Sequence, residues 1–330
     1  MPTASLKRSR FVVEPKGVAF RLTGNDLDII GPLQTYKYLP STHLVRFASN
    51  LHPQYVKNRL TVLRHEAKLI DCPPSSWHAA NARYRPAVYQ LTEKGRLLLQ
   101  QHGRSRPTYS TSEEFKHEFG VCITAASFAI GAMEHSDIAL HDHQAILNSR
   151  FCPAVTRDSK SPFAIPITFT YHYTVGNEAR HKKLDTYVKH DWKPFGFTSR
   201  ASRSAQIFFP GIEFDRHTES LDRADYNASS IQRHIQSARA LASEDGYAAH
   251  YGIPNAFIPW VTISEPRMHS IMREVEKATN GKGSKMFLFK TIPDFAGFES
   301  FPPADGAMLT TPWKRVGFPD FDILSELGVK

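Results

Sequence analysis

The sequence predicts two folded parts, an N-terminal α+β winged helix-turn-helix and a C-terminal α/β domain. The chain has 330 residues, which is enough for two domains. Residues 1–110 carry 17 Lys and Arg against 6 Asp and Glu, whereas residues 111–330 carry 24 against 26. Beyond residue 113, strand-like segments alternate with helix-like segments, which is typical of layered α/β architecture.

The composition excludes several classes of protein. Hydrophobic residues make up 41% of the chain, which is too many for a disordered protein. No apolar run is long enough to cross a membrane, and the basic N-terminus leads into no apolar signal segment. Three scattered cysteines, Cys72, Cys122 and Cys152, make neither a disulfide framework nor a zinc site. We therefore expect a cytoplasmic protein that has no membrane partner.

Composition also suggests where the parts begin and end. Residues 1–24 form a flexible basic arm that carries Lys7, Arg8 and Arg10, and residues 25–102 form the winged helix. Residues 103–112 are polar, with Gly, Pro and hydroxyl side chains, and are predicted to be a linker. Residues 113–330 form the α/β domain, which ends beyond Phe295 in a tail predicted to be irregular.

Three helices are predicted in the N-terminal part. Asn25 and Asp26 are candidate caps for the first helix, which Pro32 is expected to kink or restart. Ser41 is the expected N-cap of a short second helix, Thr42–Ala48. Pro53 suits the first position of the third helix.

The third helix, Pro53–Ala67, carries the strongest functional signal. Four apolar residues recur at helical spacing along it: Val56, Leu60, Leu63 and Ala67. Its other positions hold side chains that suit phosphate contact and base-edge readout in a major groove: Gln54, Lys57, Asn58, Arg59, Thr61, Arg64 and His65. Two helices joined by a short turn, the second basic on its outer face, indicate a helix-turn-helix.

The following segment is typical of a wing. Lys68–Asp71 and Tyr84–Leu91 are predicted strands, and Thr92 is the expected cap of a closing helix, Glu93–Gln101. Arg83 and Arg85 near the wing are expected to contact the DNA backbone. Together with the excess positive charge, these features predict binding to double-stranded DNA. The alternative is a basic surface that is merely solvated.

The C-terminal part is predicted to hold five strands and three helices. The strands are Ile165–Val175, Lys193–Thr198, Gln206–Asp215, Phe257–Ile263 and Met286–Ile292. The helices are Phe115–Met133, Asn227–Leu241 and Pro266–Ala278.

Carboxylates near the strand ends are the candidate chemistry. Glu213 and Asp215 are two residues apart on one predicted strand, so both side chains leave the same face, and Asp191 precedes another short predicted strand by two residues. If the three met, they would be ligands for Mg²⁺ or Mn²⁺, and the metal would activate water against a phosphodiester. The alternative is a surface network in which they pair with Arg216, Arg223 or Arg233.

Several segments, taken in order, resemble the plasmid replication-relaxation proteins of bacteria. The resemblance extends from about Asp26 to Ala278. The segments are DLDIIGPLQTYKYLPSTHLVRF, VKNRLTVLRHEAKLI, RPAVYQLTEKGRLLL, HEFGVCITAASF, FFPGIEFDRHTES, SSIQRHIQSARAL and FIPWVTISEPRMHSIMREV.

This resemblance implies a winged helix fused to a domain of the PD-(D/E)XK nuclease fold, whose metal site uses an Asp and then a Glu and a Lys on the next strand. Asp191 matches the Asp and Glu213 the Glu, but Asp215 stands where that fold has Lys. Arg233, or Gln232 as a polar substitute, would have to replace the lysine. The resemblance therefore implies a nuclease-like domain that is weakly active or inactive.

Three functions are compatible with these features. The first is a DNA-binding protein that acts in the replication, transfer or regulation of a plasmid or mobile element. The second is a Mg²⁺- or Mn²⁺-dependent endonuclease targeted by its winged helix, and the third is a transcriptional regulator whose second domain senses a ligand. Winged helices commonly bind palindromic sites as two-fold dimers, so the sequence leaves homodimerisation open.

Overall fold

The structure is a computed structural model that describes residues 12–77, 85–104, 114–202, 205–223, 225, 228–253, 256–292, 295 and 301–329. Lys7, Arg8, Arg10 and Arg83, predicted to contact DNA, lie outside the described residues. The chain divides into two compact units: unit 1 is Met1–Ala126 with Gly297–Asp305, and unit 2 is Ser127–Ala296 with Gly306–Lys330. Both units mix helices with small sheets.

Unit 1 contains short helices and a small antiparallel sheet. In chain order, its elements are α1 (Gly24–Ile30), α2 (Pro32–Tyr36), β1 (Leu39–Pro40), α3 (Ser41–Phe47), α4 (Pro53–His65), β2 (Ile70–Asp71), a 3-10 turn (Pro74–Trp77), β3 (Val88–Leu91) and α5 (Glu93–Gln101). The strand order is β1-β3-β2, with β3 antiparallel to both neighbours.

The helix caps of unit 1 differ in part from those predicted. Thr23, not Asn25 or Asp26, is the N-cap of α1, because Thr23 and Asp26 exchange hydrogen bonds in a reciprocal capping box. Pro40, not Ser41, is the N-cap of α3. Pro32 does begin a new helix, α2, and the Thr92 hydroxyl accepts from the Gly95 amide to cap α5, both as predicted.

The apolar stripe of α4 forms the core of unit 1. Val56, Leu60 and Leu63 are at most 1% exposed, and Ala67 beyond the helix is also buried, so the predicted periodicity is confirmed. Residues from the other helices of unit 1 are also fully buried: Ile29, Ile30, Leu44 and Leu99. Because one face of α4 is buried in this core, the opposite face of the helix is turned to the surface.

The second set of elements begins with α6 (Phe115–Glu134), a helix that contains the unit boundary. The following elements are β4 (Ile138–His141), α7 (His143–Leu147), α8 (Ala154–Arg157), β5 (Ile165–Val175), β6 (Glu178–Val188), β7 (Phe195–Ser199), β8 (Gln206–Phe209), β9 (Glu213–Asp215), α9 (Ile231–Ser243), α10 (Gly246–Tyr251), β10 (Ile258–Thr262), α11 (Glu265–Ala278), β11 (Ser284–Thr291), α12 (Ala307–Thr310), β12 (Lys314–Val316) and α13 (Ile323–Glu326).

The strands of unit 2 form one antiparallel group and one largely parallel group. Strands β4, β7 and β8 are antiparallel neighbours, whereas β9, β10 and β11 are parallel, with β12 antiparallel at the edge. A parallel bridge between Phe208 and Ala256 links the two groups. Strands β5 and β6 form a separate hairpin.

The predicted strand Gln206–Asp215 is broken in the middle, between β8 and β9. A Cβ on Gly211 would lie 2.2 Å from the Cβ of His190 and 2.3 Å from the Trp192 carbonyl oxygen. Only glycine therefore allows residues 190–192 to approach this break so closely, and the approach places Asp191 beside β9.

The described part of the C-terminal tail, residues 301–329, contains regular elements, contrary to the prediction of an irregular tail. It supplies α12, β12 and α13, and its side chains Trp313 and Phe321 are almost completely buried. Trp313 stacks on Phe128 of α6, with ring centroids 5.7 Å apart, and donates its indole N–H to the Met308 carbonyl. Trp313 and Phe321, two of the aromatic residues of this segment, are therefore core residues.

Among the described helices, none combines the length and the apolar character that a membrane crossing requires.

Candidate functional site

One candidate site is the exposed surface of α4, opposite the core of unit 1. Gln54, Lys57, Asn58 and Thr61 are all exposed there. The Gln54 side-chain amide donates to the Asn58 side-chain oxygen at 3.0 Å, so these two side chains are held side by side. We call these four residues the α4 surface.

Arg59 and Arg64, predicted to face a groove, are not part of this surface, and that prediction is wrong. Arg59 donates to both carboxylate oxygens of the fully buried Asp26, at 2.7 and 2.6 Å. Arg64 is 5% exposed and donates to Asp71 of β2 at 3.0 Å. The two guanidinium groups attach α4 to α1 and to β2.

His65 and Arg85 also have structural contacts. His65 is half-buried, and its Nδ1 accepts a hydrogen bond from the Glu14 amide at 3.1 Å. Arg85 is 8% exposed and lies over the ring of Phe301. Arg85 therefore does not present an exposed contact for a DNA backbone, contrary to the prediction.

The second candidate site lies in unit 2, where the three predicted carboxylates come from neighbouring segments. Asp191 accepts a hydrogen bond from the Phe214 amide at 2.8 Å, so it does lie against the strand that carries Glu213 and Asp215. Each of the three carboxylates, however, has a different partner.

Asp215 is held in a buried ion pair. Arg267 of α11 donates to both of its oxygens, at 2.6 and 3.2 Å, and both side chains are 4% exposed. Arg267 also donates to the Glu219 carbonyl. Asp215 thus accepts from an arginine of α11, and not from the predicted Arg216, Arg223 or Arg233.

Glu213 is at the end of a buried chain of hydrogen bonds. Its Oε1 lies 2.6 Å from His190 Nδ1, and His190 Nε2 lies 3.3 Å from the Tyr247 hydroxyl. Burial lowers the pKa of His190 to about 4, so its ring is neutral at pH 7. Burial, with a smaller effect of the Glu213 charge, raises the pKa of Tyr247 well above its usual 10. The phenol therefore donates to Nε2, and Nδ1–H donates to Glu213.

Glu213 borders a cavity of about 310 Å³. His234 of α9 lies beside it, with Nδ1 3.8 Å from Glu213 Oε2 and Nε2 2.8 Å from the Ser229 hydroxyl oxygen. Ser229 in turn donates to Glu219. Arg233 and Lys189 also line the cavity, which therefore combines a carboxylate, imidazoles and hydroxyls with two cationic side chains.

The three-carboxylate metal site is not assembled as predicted. Among the described residues, no group of three or more His, Cys, Asp or Glu side chains is arranged to hold a metal ion. Of Asp191, Glu213 and Asp215, only Glu213 lines the cavity. Arg233 does line it, whereas Gln232 is within hydrogen-bond distance of Tyr171.

Four residues that define this site were not predicted from the sequence: His190, His234, Tyr247 and Arg267. They lie between 21 and 57 residues from their carboxylate or histidine partners. Helical and strand periodicity relates only residues a few positions apart, so it cannot connect side chains at these separations. The only sequence signal was that His190 precedes Asp191 directly.

Comparison with known proteins gives no match: no family model fits the chain, and no curated protein or solved structure matches it significantly.

Proposed function

We propose that the protein binds double-stranded DNA and acts in the replication, transfer or regulation of a plasmid or mobile element. The observation that carries this proposal is the α4 surface. It presents amide, hydroxyl and ammonium groups from a helix whose opposite face is fixed in the core. These are groups that contact base edges and phosphates in the major groove.

The order of elements in unit 1 supports α4 as the recognition helix. Helices α1 to α4 are followed by strands β2 and β3 and then by the closing helix α5. Strand β1 pairs with β3. This is the order expected of a winged helix, in which the second helix of the helix-turn-helix enters the major groove. Residues 1–110, with 17 Lys and Arg against 6 Asp and Glu, supply the charge that attracts DNA.

The order of elements in the second part supports a nuclease-like domain. Antiparallel strands β4, β7 and β8 and parallel strands β9 and β10 alternate with helices, which is compatible with the nuclease-like domain that the resemblance implies. In this reading Glu213 keeps the position of the nuclease glutamate. Asp215 stands where that fold has Lys and is engaged by Arg267, so we propose weak or absent cleavage.

The test is a binding titration of the full chain with labelled duplexes selected from a random pool. We expect affinity that falls steeply with salt and a strong loss of binding in Lys57→Glu. Lys282→Glu changes the charge equally at an exposed position in unit 2 and is the control. Equal effects of the two substitutions, or binding that is indifferent to salt, would exclude the α4 surface as the interface.

The alternative function is a Mg²⁺- or Mn²⁺-dependent endonuclease. It is favoured by the position of Glu213 at a cavity that also contains Arg233. Supercoiled plasmid incubated with either cation distinguishes the two functions. Nicking that is lost in Glu213→Gln, while DNA binding is retained, would establish the endonuclease.

A further inference from the structure

The β5–β6 hairpin is a long ribbon in unit 2. Its strands pair from Ile165 with Val188 to Val175 with Glu178, without a register shift. Eleven residues in each strand make a ribbon about 35 Å long. Alternate residues of β5, from Ile165 to Tyr171, are buried, but β6 is exposed from Glu178 to Lys183.

The two edges of the ribbon differ. The edge of β5 is covered by α9, because the Gln236 side chain accepts from the His172 amide at 2.8 Å and donates to the His172 carbonyl at 2.7 Å. Strand β6 pairs with β5 alone among the strands of the described residues. Its outer edge is therefore the accessible one.

The exposed half of β6 is positively charged. Residues 179–184 include Arg180, Lys182 and Lys183 and no carboxylate, and β5 contributes no Asp or Glu. The two acidic residues of the hairpin have partners, since Thr168 donates to Asp185 and Arg180 pairs with Glu178 at the surface. Alternation places Arg180 and Lys182 on one face of the ribbon and Lys183 on the other. The cations thus lie on both sides of the accessible edge.

The same strand leads to the Glu213 cavity. Thr186, Val188 and Lys189 line that cavity, and Tyr187 between them is 61% exposed. A polyanion that lies along β6 therefore reaches Glu213 and Arg233 at the end of the strand.

We infer that the β5–β6 hairpin is a second DNA-binding element, whose edge strand β6 lies along the sugar-phosphate backbone of a duplex and directs it to the Glu213 cavity. The inference rests on the proposed duplex-DNA function. The observation that supports it is the presence of Lys and Arg side chains on both faces of the outer edge of β6. Phosphates are contacted by such side chains and by backbone amides. A two-stranded ribbon of this kind also fits a DNA groove.

The experiment compares double charge reversals in the full chain. The test variant combines Lys182→Glu with Lys183→Glu, and the control combines Lys160→Glu with Lys282→Glu, two exposed lysines of unit 2 outside the hairpin. The probe is a 40-bp duplex that the wild type binds, measured by fluorescence anisotropy over a range of salt concentrations. Thermal melting of each variant checks that the fold is intact.

The test variant is expected to lose roughly tenfold or more in affinity relative to the control, and its dependence on salt should weaken by the equivalent of about two phosphate contacts. Hydroxyl-radical footprints of the test variant, taken at saturating protein, should lose a patch of protection that the control variant retains. If the wild type binds DNA and Lys57→Glu abolishes binding, while the test and control variants are equal, then the proposed function stands and the hairpin inference is overturned.

Two other outcomes are also decisive. A wild type that binds no duplex contradicts the proposed function and the inference with it. If sedimentation shows that the test variant converts a dimer into a monomer, with DNA affinity equal to the control's, then β6 pairs with a second copy of the chain and not with DNA.

Discussion

Arg267 and Asp215 form a buried, doubly hydrogen-bonded ion pair between α11 and β9. Both side chains are 4% exposed, and the geometry of the pair is that of a structural link. A carboxylate held by two N–H groups of one guanidinium has its charge already balanced. This is the physical reason to expect little metal-dependent chemistry from Asp215.

Breaking that ion pair should destabilise unit 2. We expect Arg267→Met to lower the free energy of unfolding by about 3–5 kcal/mol, because Asp215 would remain buried without its partner. The double variant Asp215→Leu with Arg267→Met should recover much of the loss, since both charges are then removed. Urea unfolding measures both variants, and a single variant as stable as the wild type would contradict the structural role.

Arg59 should likewise act on stability and not on DNA readout. Its substitution by Ala leaves the buried Asp26 without its guanidinium, so we expect a loss of about 2–3 kcal/mol in unfolding free energy. Arg96→Ala removes an exposed pair with Glu93 in α5 and should cost less than about 0.5 kcal/mol. Chemical denaturation compares the two, and equal effects would show that the Asp26 contact is unimportant.

The two faces of α4 should separate binding from stability. Asn58→Ala should weaken specific DNA binding by roughly 1–3 kcal/mol if Asn58 reads a base, and leave the melting temperature nearly unchanged. Leu60→Ala should cost about 2–5 kcal/mol of stability, because Leu60 is 1% exposed. Anisotropy and thermal melting of both variants check this, and the reverse pattern would mean that the faces are wrongly assigned.

Acid should destabilise unit 1 through His43. Burial lowers the pKa of His43 to about 4, from 6.5 in the unfolded chain. Between these values the unfolded chain binds a proton that the folded unit excludes, so stability falls as the pH drops below about 6.5. The loss should reach about 2 kcal/mol at pH 5 and level off below pH 4.

Urea unfolding at pH 7.5 and pH 5, monitored by a probe in unit 1, measures this loss. His43→Met removes the titrating group, so the difference between the two pH values should shrink by that amount. A variant with the same pH dependence as the wild type would show that other groups cause the acid effect.

Elements with a one-sided pattern could be predicted from the sequence. Strand β5 has the predicted bounds because buried and exposed residues alternate along it, and α4 has one apolar face. Strand β6 was missed because most of its residues are exposed on both faces, and only its pairing with β5 makes it a strand. Strand β12 likewise depends on pairing with β11, which no local pattern indicates.

The candidate sites were predictable only in part. The proximity of Asp191 to the Glu213 strand was predicted and is present. The partners of the carboxylates were not, because His190 and Arg267 reach them through tertiary structure. A helical pattern also cannot separate an exposed arginine from one such as Arg64, whose long side chain extends from the polar face to a carboxylate on a neighbouring strand.

The Asp26 carboxylate serves two structures at once: it completes the capping box of α1 with Thr23, and it accepts both hydrogen bonds from Arg59 of α4. A helix of seven residues does not persist alone in water. The start of α1 is therefore stabilised fully only when α4, more than thirty residues away, is already in place. We therefore expect α1 and α4 to be stable as one cooperative unit, so that α1 gains its full stability only after α4 has been synthesised.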